Sequence, residues 1–273
     1  MKKAAFYTLG CKVNQYETEA MAELFADSGY EIKEFTEVAD VYVINTCSVT
    51  NMGDRKSRQI IRRAKKLNPN AVIAVTGCYA QTAPDEVLAI EGVNLVLGTK
   101  DRKNIVTLVE ELNTESNINH VSDIMSNHEF EELQIKQYSN RTRAFIKIQE
   151  GCNQFCSYCI IPYARGPVRS RAKDDVVREI KELAHNGFKE IILVGIHVAS
   201  YGVDLGDTTL ESLIMDVDKI DGVERIRLSS IEPMTLNQEF IDSIKDSKKL
   251  CHHFHISLQS GCDETLKRMN RKY

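Results

Sequence analysis

The feature that most constrains the fold is an alternation of strand and helix patterns, which runs along the chain in two separate series. Strands that alternate with helices of ten or more residues are typical of parallel sheets with helices packed on them. The sequence therefore predicts an α/β protein. The predicted strands are 4–9, 41–45, 71–76 and a shorter unit at 95–97 in the first series, and 143–149, 190–194, 225–229 and 253–258 in the second. The predicted helices are 14–28, 54–67 and about 104–112, then 174–186, 210–220 and 263–269.

The two series predict two domains. Residues 1–112 are expected to form a Rossmann-like α/β domain. Residues 113–140 are polar and have no clear period, which indicates an inter-domain connection. Residues 141–273 are expected to form a barrel-like parallel sheet of four strand–helix units, too few to close an eight-stranded barrel. The prediction is therefore an incomplete barrel, and we favour a truncated sequence over an open sheet.

Composition bears on the compartment and on the partners. The net charge of -4 gives no general attraction for nucleic acid, so any RNA contact requires a local basic patch. No run approaches the ~18 apolar residues that would span a bilayer, and the N-terminus lacks a signal-peptide pattern. We expect a cytoplasmic protein that does not contact membranes. In that compartment the eight cysteines favour metal binding or catalysis over disulfides.

Three cysteines follow the first strand of the second series with the spacing C-x3-C-x2-C. They are Cys152, Cys156 and Cys159. Three thiolates on one loop can bind three irons of a [4Fe–4S] cluster and leave the fourth iron open for a small molecule. The alternative is a structural zinc site, which normally takes four ligands, and no fourth Cys or His follows nearby. The spacing therefore favours a cluster with one open iron.

Three further cysteines each lie just beyond a predicted strand of the first series. They are Cys11, Cys47 and Cys78. The carboxyl ends of parallel strands meet at one edge of a sheet, where α/β proteins bind their ligands. Each cysteine taken alone is explained as a small buried residue. Three in matching positions favour a second set of metal ligands.

Several segments together resemble one family, the radical S-adenosylmethionine (SAM) methylthiotransferases. The resemblance covers nearly the whole chain and is carried by TLGCKVNQYETE, VINTCSVT, TGCYAQ, GCNQFCSYCIIPYARGPVRSR, GIHVASYGVD, RIRLSSIEP and HISLQSGCDETLKRMNRKY. It implies two [4Fe–4S] clusters, one on each cysteine triad, and SAM bound at the open iron of the cluster on Cys152, Cys156 and Cys159. By the same resemblance, the cluster on Cys11, Cys47 and Cys78 would carry or supply sulfur.

Within this family, GCKVNQYETE and IIPYARGPVRSR most resemble the bacterial branch that acts on N6-threonylcarbamoyladenosine in tRNA. The resemblance implies methylthiolation at C2 of adenosine 37, with tRNA as partner and an electron donor such as flavodoxin or ferredoxin. Three alternatives stay open: isopentenyladenosine in tRNA as substrate, a ribosomal protein as substrate, or an inactive iron–sulfur fragment. The family's last barrel strands and its C-terminal RNA-binding domain have no counterpart in the sequence.

Polar residues after the strands of the second series are candidate SAM contacts. The resemblance places Tyr158 near the SAM adenine, although loop packing explains this residue nearly as well, and it places Gly195 and His197 near the amino group. The full candidate set is Tyr158, Gly195, His197, Ser229, Glu232 and Gln259, all at strand ends or in the cysteine loop. Cys251 and Cys262 have no partners in either triad and are left unassigned.

Two groups of basic residues are candidates for RNA contact. A helix over 54–66 would present Arg55, Arg58, Arg62 and Lys66 along one face, which favours either phosphate contact or ordinary solvation. The second group, just after the cysteine loop, would serve either RNA binding or pairing with acids that close the loop. It consists of Arg165, Arg169 and Arg171.

Overall fold

The computed structural model describes residues 1–48, 51–112, 117–135 and 142–273, which it divides into two compact units. Unit 1 comprises Met1–Asn127, Glu131–Leu133 and Tyr163–Arg165; unit 2 comprises His128–Phe130, Gln134–Pro162 and Gly166–Tyr273. Within the described ranges, no helix is both long and apolar enough to cross a membrane. The α/β fold class predicted from the sequence is confirmed in both units.

Unit 1 is built on a six-stranded parallel sheet in the order β2-β1-β3-β4-β5-β6. Its strands are β1 (Lys3–Thr8), β2 (Glu31–Lys33), β3 (Val41–Thr46), β4 (Val72–Gly77), β5 (Leu95–Leu97) and β6 (Ile118–His120). Its helices are α1 (Lys12–Asp27), α2 (Asn51–Leu67), α3 (Cys78–Thr82), α4 (Pro84–Leu88) and α5 (Ile105–Glu110). The order is that of the second common type of doubly wound sheet, whose direction reverses between β1 and β3.

Two apolar layers cover the two faces of this sheet. On one face α1 and α5 pack on the strands through residues such as Met21, Phe25 and Ile105. On the other face α2, α3 and α4 pack through residues such as Ile61 and Tyr79. Because both faces are covered, β3 and β5 are buried along their whole length, as their continuous apolar runs predict.

The predicted strands 4–9, 41–45 and 71–76 correspond to β1, β3 and β4. The sequence missed β2 and β6, which are three-residue edge strands without a buried side. Strand β6 falls inside the predicted 113–140 connection, and Ile124, Leu133 and Ile135 of the same stretch are buried. The part of the connection that the structure describes is therefore packed. Residues 113–116 and 136–140 of the connection lie outside the described residues.

Unit 2 contains a four-stranded sheet in the order β10-β9-β7-β8, in which β7, β9 and β10 are parallel and β8 is antiparallel to β7. Its strands are β7 (Arg143–Glu150), β8 (Arg169–Ser170), β9 (Glu190–Gly195) and β10 (Arg225–Leu228). The remaining helices are α6 (Ile161–Arg165), α7 (Lys173–His185), α8 (Leu210–Asp218), α9 (Gln238–Ile244) and α10 (Asp263–Arg268). The three parallel strands agree with the predicted partial barrel, and the antiparallel strand β8 is one that the sequence does not predict.

The prediction of a fourth parallel strand at 253–258 is wrong. The chain there forms only an isolated parallel bridge between Ile231 and Ile256, and a second isolated bridge joins Ile226 to Leu250. Ile256 is 43% exposed and Leu258 is 64% exposed, so the apolar side chains of this segment are not packed into a core. The period-2 pattern is present, but the ladder that would make it a strand is not.

Candidate metal centres

The first cysteine triad lies at one edge of the sheet of unit 1. Cys11, Cys47 and Cys78 follow the carboxyl ends of β1, β3 and β4, which are neighbours in the sheet and run parallel. The strand order reverses between β1 and β3, and such a reversal opens a crevice at the carboxyl ends of the strands. The arrangement that the sequence predicts for these three residues is thus the one observed.

Close contacts between the strand-end loops bring these thiols together. A Cβ added to Gly10 would lie 2.9 Å from the Cβ of Cys47 and 3.1 Å from its Sγ, so only glycine leaves this space open. Gly10 also has a φ of +106°, which side chains rarely adopt. The thiols of Cys11 and Cys47 both contribute to raising the pKa of Cys78, as neighbouring groups of the same charge do.

A pair of buried asparagines fixes the loops that carry the triad. The Asn14 side-chain amide donates to the Leu9 carbonyl at 2.9 Å and to the Thr46 carbonyl at 3.0 Å. The Asn45 side-chain amide donates in return to the Asn14 carbonyl at 3.0 Å. A Cβ on Gly77 would meet Asn45 Oδ1 at 2.4 Å, so the loop after β4 also packs on this pair. The asparagines therefore set the spacing of the strand ends.

Arg165 completes this site. Its side chain is fully buried, and its guanidinium pairs with Glu17 at 2.6 Å and donates to Asn14 Oδ1 at 2.7 Å. Its Nε donates to Cys78 Sγ at 3.3 Å. Arg102 pairs with the same carboxylate at 2.5 Å. A positive charge is therefore held against one thiol of the triad, where it would stabilise the thiolate form.

The second basic group that we considered for RNA contact is buried instead. Arg169 lies 3.6 Å from a carboxylate oxygen of Glu150, and Arg171 pairs with Glu179. Like Arg165, both arginines are at most 1% exposed. The RNA interpretation of these three arginines is wrong, and the alternative, pairing with acids, is confirmed.

The second triad lies in unit 2, in the loop after β7. Cys156 is buried, and Cys152 and Cys159 are half-buried. The amide of Cys159 donates to the carbonyl of Cys156 at 3.0 Å, which closes the loop on itself. The amide of Cys152 donates to the Gly166 carbonyl at 3.0 Å and ties the loop to the segment before β8. All three cysteines line one cavity of about 220 Å³.

The last residues of the chain hold the other side of this loop. The Ser157 amide donates to the Met269 carbonyl at 3.0 Å, and the Ser157 hydroxyl donates to the Arg268 carbonyl at 3.1 Å. The Asn270 side chain donates to the Phe155 carbonyl at 2.9 Å, where Phe155 has a left-handed φ of +47°. The conformation of the cysteine loop therefore depends on residues more than one hundred positions away.

A histidine, a carboxylate and a guanidinium form a chain of contacts along the wall of this cavity. His197 Nε2 lies 3.0 Å from Glu232, and Arg271 lies 2.6 Å from the other oxygen of the same carboxylate. Arg271 also donates to Cys156 Sγ at 3.3 Å. Burial alone would raise the pKa of Glu232, but hydrogen bonding and charge from His197 and Arg271 outweigh it and lower the pKa. Glu232 is therefore a carboxylate at neutral pH, already engaged on both oxygens.

The predicted SAM contacts divide into two groups. Tyr158, His197, Glu232 and Gln259 line the cavity together with the cysteines. Among the described residues, Gly195 and Ser229 are not part of its lining, and each lies at the end of its strand just behind it. A Cβ on Gly195 would lie 2.9 Å from Oε1 of Gln149, the atom that accepts from the His197 amide at 2.7 Å. The hydroxyl oxygen of Ser229 is buried without a hydrogen-bond partner in the part of the chain that the structure describes.

Burial affects the pKa of three thiols, one in the first triad and two in the second. Burial raises the pKa of Cys152 to about 11. Burial is also the largest cause of the raised pKa values of Cys78 and Cys159. These thiols are therefore protonated at neutral pH. A metal group that binds thiolates would displace their protons, so binding releases protons to solvent.

The donor sets fit an iron–sulfur cluster better than a single ion. Within the described ranges, no three His, Cys, Asp or Glu side chains converge on a point that could hold one metal ion. In a cubane cluster each thiolate binds a different iron, so the ligands surround the cluster. Each unit offers three thiol ligands of the soft type that iron prefers, with an arginine N–H directed at one of the sulfurs.

Substituting Gly151 should test how tightly the loop after β7 is held. A Cβ on Gly151 would lie 1.8 Å from the Pro167 carbonyl oxygen, and its φ is +77°. We expect Gly151→Ala to lower the free energy of unfolding by ~1–2 kcal/mol for the left-handed backbone and by a further ~1–3 kcal/mol for the clash. Gly187→Ala is the control, since Gly187 has a φ of +92° with nothing within 4 Å. If urea denaturation gave the same loss of unfolding free energy for both variants, the predicted clash at Gly151 would be contradicted.

Sequence reasoning missed the groups that support the triads. These groups are polar residues that each have at least one partner far away in the sequence, so no local pattern identifies them. They are Asn14, Glu17, Asn45 and Arg271. The available signal is a charged or amide residue at a position that helical or strand periodicity assigns to the core. Cys251 is half-buried and Cys262 is exposed, and both remain unassigned.

Two families match the chain, one in each half. Residues 3–98 match the family described as "Uncharacterized protein family UPF0004". Residues 146–273 match the radical SAM superfamily. The first match contains Cys11, Cys47 and Cys78, and the second contains the cysteine loop.

Relatives match the chain along its whole length. It is 51% identical over 275 residues to "Threonylcarbamoyladenosine tRNA methylthiotransferase MtaB" of Bacillus subtilis, covering 100% of this chain and 61% of that protein. The protein of the same name from Aquifex aeolicus is 43% identical over 99% of this chain and 66% of its own length. A "tRNA-2-methylthio-N(6)-dimethylallyladenosine synthase" of Thermoanaerobacter pseudethanolicus is 38% identical over 97% of this chain and 58% of its own length. The chain spans less than two thirds of the length of these relatives.

Solved structures match the fold. The radical SAM methyltransferase TsrM from Kitasatospora setae, with cobalamin and a [4Fe-4S] cluster bound, gives a TM-score of 0.66 at 16% identity. The match covers 100% of this chain and 65% of that one. A second TsrM structure, with tryptophan and a SAM analogue bound, gives a TM-score of 0.67 at 14% identity. At these identities the likeness concerns the fold alone.

Proposed function

We propose that the chain is a radical SAM methylthiotransferase, which adds a methylthio group to C2 of N6-threonylcarbamoyladenosine at position 37 of tRNA. One observation carries the proposal: the chain has two cysteine triads, one at the carboxyl ends of three parallel strands and one in the loop after β7, and in each an arginine N–H is directed at one sulfur. The names of the Bacillus subtilis and Aquifex aeolicus relatives support the choice of substrate.

Each triad would hold one [4Fe–4S] cluster. Cys152, Cys156 and Cys159 would bind the cluster that takes SAM, and Cys11, Cys47 and Cys78 would bind the other. When bound, these groups supply the electron that cleaves SAM to a 5′-deoxyadenosyl radical and the sulfur that is transferred, while a second SAM supplies the methyl group. The fit rests on the grouped thiols and on the cavity that the loop after β7 shares with polar strand ends.

The residues around the cavity of unit 2 would position SAM. Tyr158 is 54% exposed beside the cysteines and offers an aromatic surface for the adenine. Gln259 and His197 present polar groups to the same space. Glu232 would act as a positioning residue, because its two oxygens hold His197 and Arg271 in place. Gly195 and Ser229 lie at strand ends behind the wall of this cavity and would help to set the position of the residues that line it.

Two further elements belong to the proposal. A one-electron donor such as flavodoxin or ferredoxin is required, since reductive cleavage of SAM consumes an electron. The cytoplasm is the expected compartment, because it contains tRNA and keeps the six ligand thiols reduced. Methylthiolation of isopentenyladenosine or of a ribosomal protein is the less favoured alternative. The Bacillus subtilis and Aquifex aeolicus relatives, both named for threonylcarbamoyladenosine, are 51% and 43% identical to this chain, against 38% for the dimethylallyladenosine synthase.

Nucleoside analysis tests the proposed reaction. The chain is reconstituted anaerobically with iron and sulfide, then incubated with SAM, reductant and a tRNA that carries N6-threonylcarbamoyladenosine. We expect mass spectrometry of the digested tRNA to detect its 2-methylthio derivative. A tRNA with isopentenyladenosine at the same position is the matched control substrate. Modification of the control alone would reject the proposed substrate.

A further inference from the structure

We propose that the exposed side of helix α2 is a binding surface for the phosphate backbone of a structured RNA. The surface consists of five cationic residues and is called the α2 basic face here. They are Arg55, Lys56, Arg62, Arg63 and Lys66. The inference rests on the proposed function for the identity of the RNA, which is then tRNA. The proposal assigns RNA contact to residues that belong to neither cysteine site.

The way α2 packs leaves this face in solvent. Ile61 and Ala64 are fully buried against the sheet of unit 1, and Ile60 is 6% exposed. Ser57, one turn earlier, is also buried. Because apolar residues occupy one side of the helix, the basic residues are displaced to the opposite side. All five residues of the α2 basic face are exposed.

The charge of this face is not neutralised within the protein. In the part of the chain that the structure describes, none of the five residues forms an ion pair. Arg58, at the border of the face, donates to the Tyr79 hydroxyl at 2.9 Å, and that hydroxyl donates to Glu86 at 3.1 Å. Asp54, at the start of the helix, accepts from the Ser48 hydroxyl at 3.1 Å. Glu86 and Asp54 are two negative charges against the five positive charges of the α2 basic face. The face is therefore positive on a chain whose net charge is -4.

The dimensions of the face suit a run of phosphates. The residues line a surface hollow of about 720 Å³. From Arg55 to Lys66 the helix rises about 16 Å. A strand of a duplex carries one phosphate per ~3.4 Å of helix axis, so several phosphates can lie along this length. Arginine contributes paired N–H donors that match phosphate oxygens, and lysine contributes a compact charge.

Two observations select RNA as the occupant. The other basic group near the sites, which includes Arg165 and Arg171, is buried and paired with acids, so it cannot meet a phosphate backbone. A helix that binds a membrane surface inserts apolar residues into the lipid beside its basic ones. The apolar side of α2 is already packed in the core, and Met52 is its one strongly exposed apolar residue among the described residues. Charge complementarity without an apolar anchor favours a nucleic-acid backbone.

The test compares salt dependence in two triple variants of the whole chain. The first is Arg62→Ala/Arg63→Ala/Lys66→Ala on the α2 basic face. The second is Lys181→Ala/Lys245→Ala/Lys248→Ala, which removes the same charge from exposed sites of unit 2. Binding of a tRNA transcript is followed by fluorescence anisotropy from 50 to 200 mM salt. We expect the α2 variant to lose about tenfold or more in affinity at 0.1 M salt, and the slope of log K against log salt to fall by about 2–3.

The controls separate this inference from the others. We expect the unit 2 variant to keep the wild-type slope, and Arg62→Lys/Arg63→Lys to bind tRNA nearly as tightly as wild type. Equal losses in both alanine variants, no binding of tRNA by the wild type, or a loss confined to anionic phosphatidylglycerol vesicles would overturn the inference. The assay needs no turnover, so α2-dependent binding without methylthio product would count against the proposed function alone.

Discussion

Replacing Cys152 by alanine is expected to abolish the formation of 5′-deoxyadenosine from SAM while leaving about half of the iron. The wild-type chain should reconstitute with about eight irons if, as proposed, each triad binds one [4Fe–4S] cluster. Cys152→Ala leaves two thiols in the loop after β7, too few to hold a cluster that already keeps one iron open. The triad of unit 1 is unaffected and should retain about four irons. Iron analysis and chromatography of the SAM products measure both effects.

Cys262→Ala is the matched control, because it removes an exposed cysteine that belongs to neither triad. It should keep the iron content and the SAM cleavage of the wild type. Full iron content in Cys152→Ala would show that the loop does not hold a cluster. Unchanged SAM cleavage in the same variant would contradict the assignment of SAM to this triad.

Replacing Glu17 by glutamine should destabilise unit 1 severely. The Glu17 carboxylate is fully buried between Arg165 at 2.6 Å and Arg102 at 2.5 Å. Glutamine keeps the shape but removes the charge, so Arg165 loses its ion-pair partner while Arg102 keeps Glu131 at 2.8 Å. Removing one partner of a buried pair typically costs ~3–5 kcal/mol, because the remaining charge is left uncompensated. We expect a loss of that size in urea denaturation of the metal-free chain, followed by circular dichroism.

Asp27→Asn provides the comparison on the same helix, since Asp27 lies at the exposed end of α1. Ion pairs of exposed carboxylates contribute ~0–1 kcal/mol to the free energy of unfolding, so this variant should unfold at nearly the same urea concentration as wild type. A loss below ~1 kcal/mol in Glu17→Gln would mean that the arginines find other partners. In that case the positive charge beside Cys78 would not depend on Glu17.

Strand order explains why the triad of unit 1 could be predicted from the sequence. Three buried runs were each followed by a cysteine, and parallel strands place such residues at one edge whatever their spacing. The supporting groups could not be predicted in this way. Arg165 and Glu17 are 148 positions apart, and a basic residue after a cysteine loop has the same local pattern whether it faces RNA or a buried acid.

The errors in strand prediction have a similar origin. Alternating apolar residues at 253–258 indicate which side chains could share a face, but they do not establish that a neighbouring strand pairs with the segment. The structure provides only one isolated bridge there, between Ile231 and Ile256. Conversely, β2 and β6 are short edge strands whose pairing comes from the sheet they join, so their own residues carry no apolar signal.

If the two triads perform different steps of one reaction, the triple variant Cys11→Ala/Cys47→Ala/Cys78→Ala separates those steps. Its SAM products and its tRNA nucleosides are measured in the same reconstituted reaction, after circular dichroism confirms the fold. We expect 5′-deoxyadenosine still to form, because the loop with Cys152 is intact, whereas the 2-methylthio nucleoside should be absent. Formation of the methylthio nucleoside by this variant, or loss of SAM cleavage in the folded variant, would show that the triads do not divide the reaction in this way.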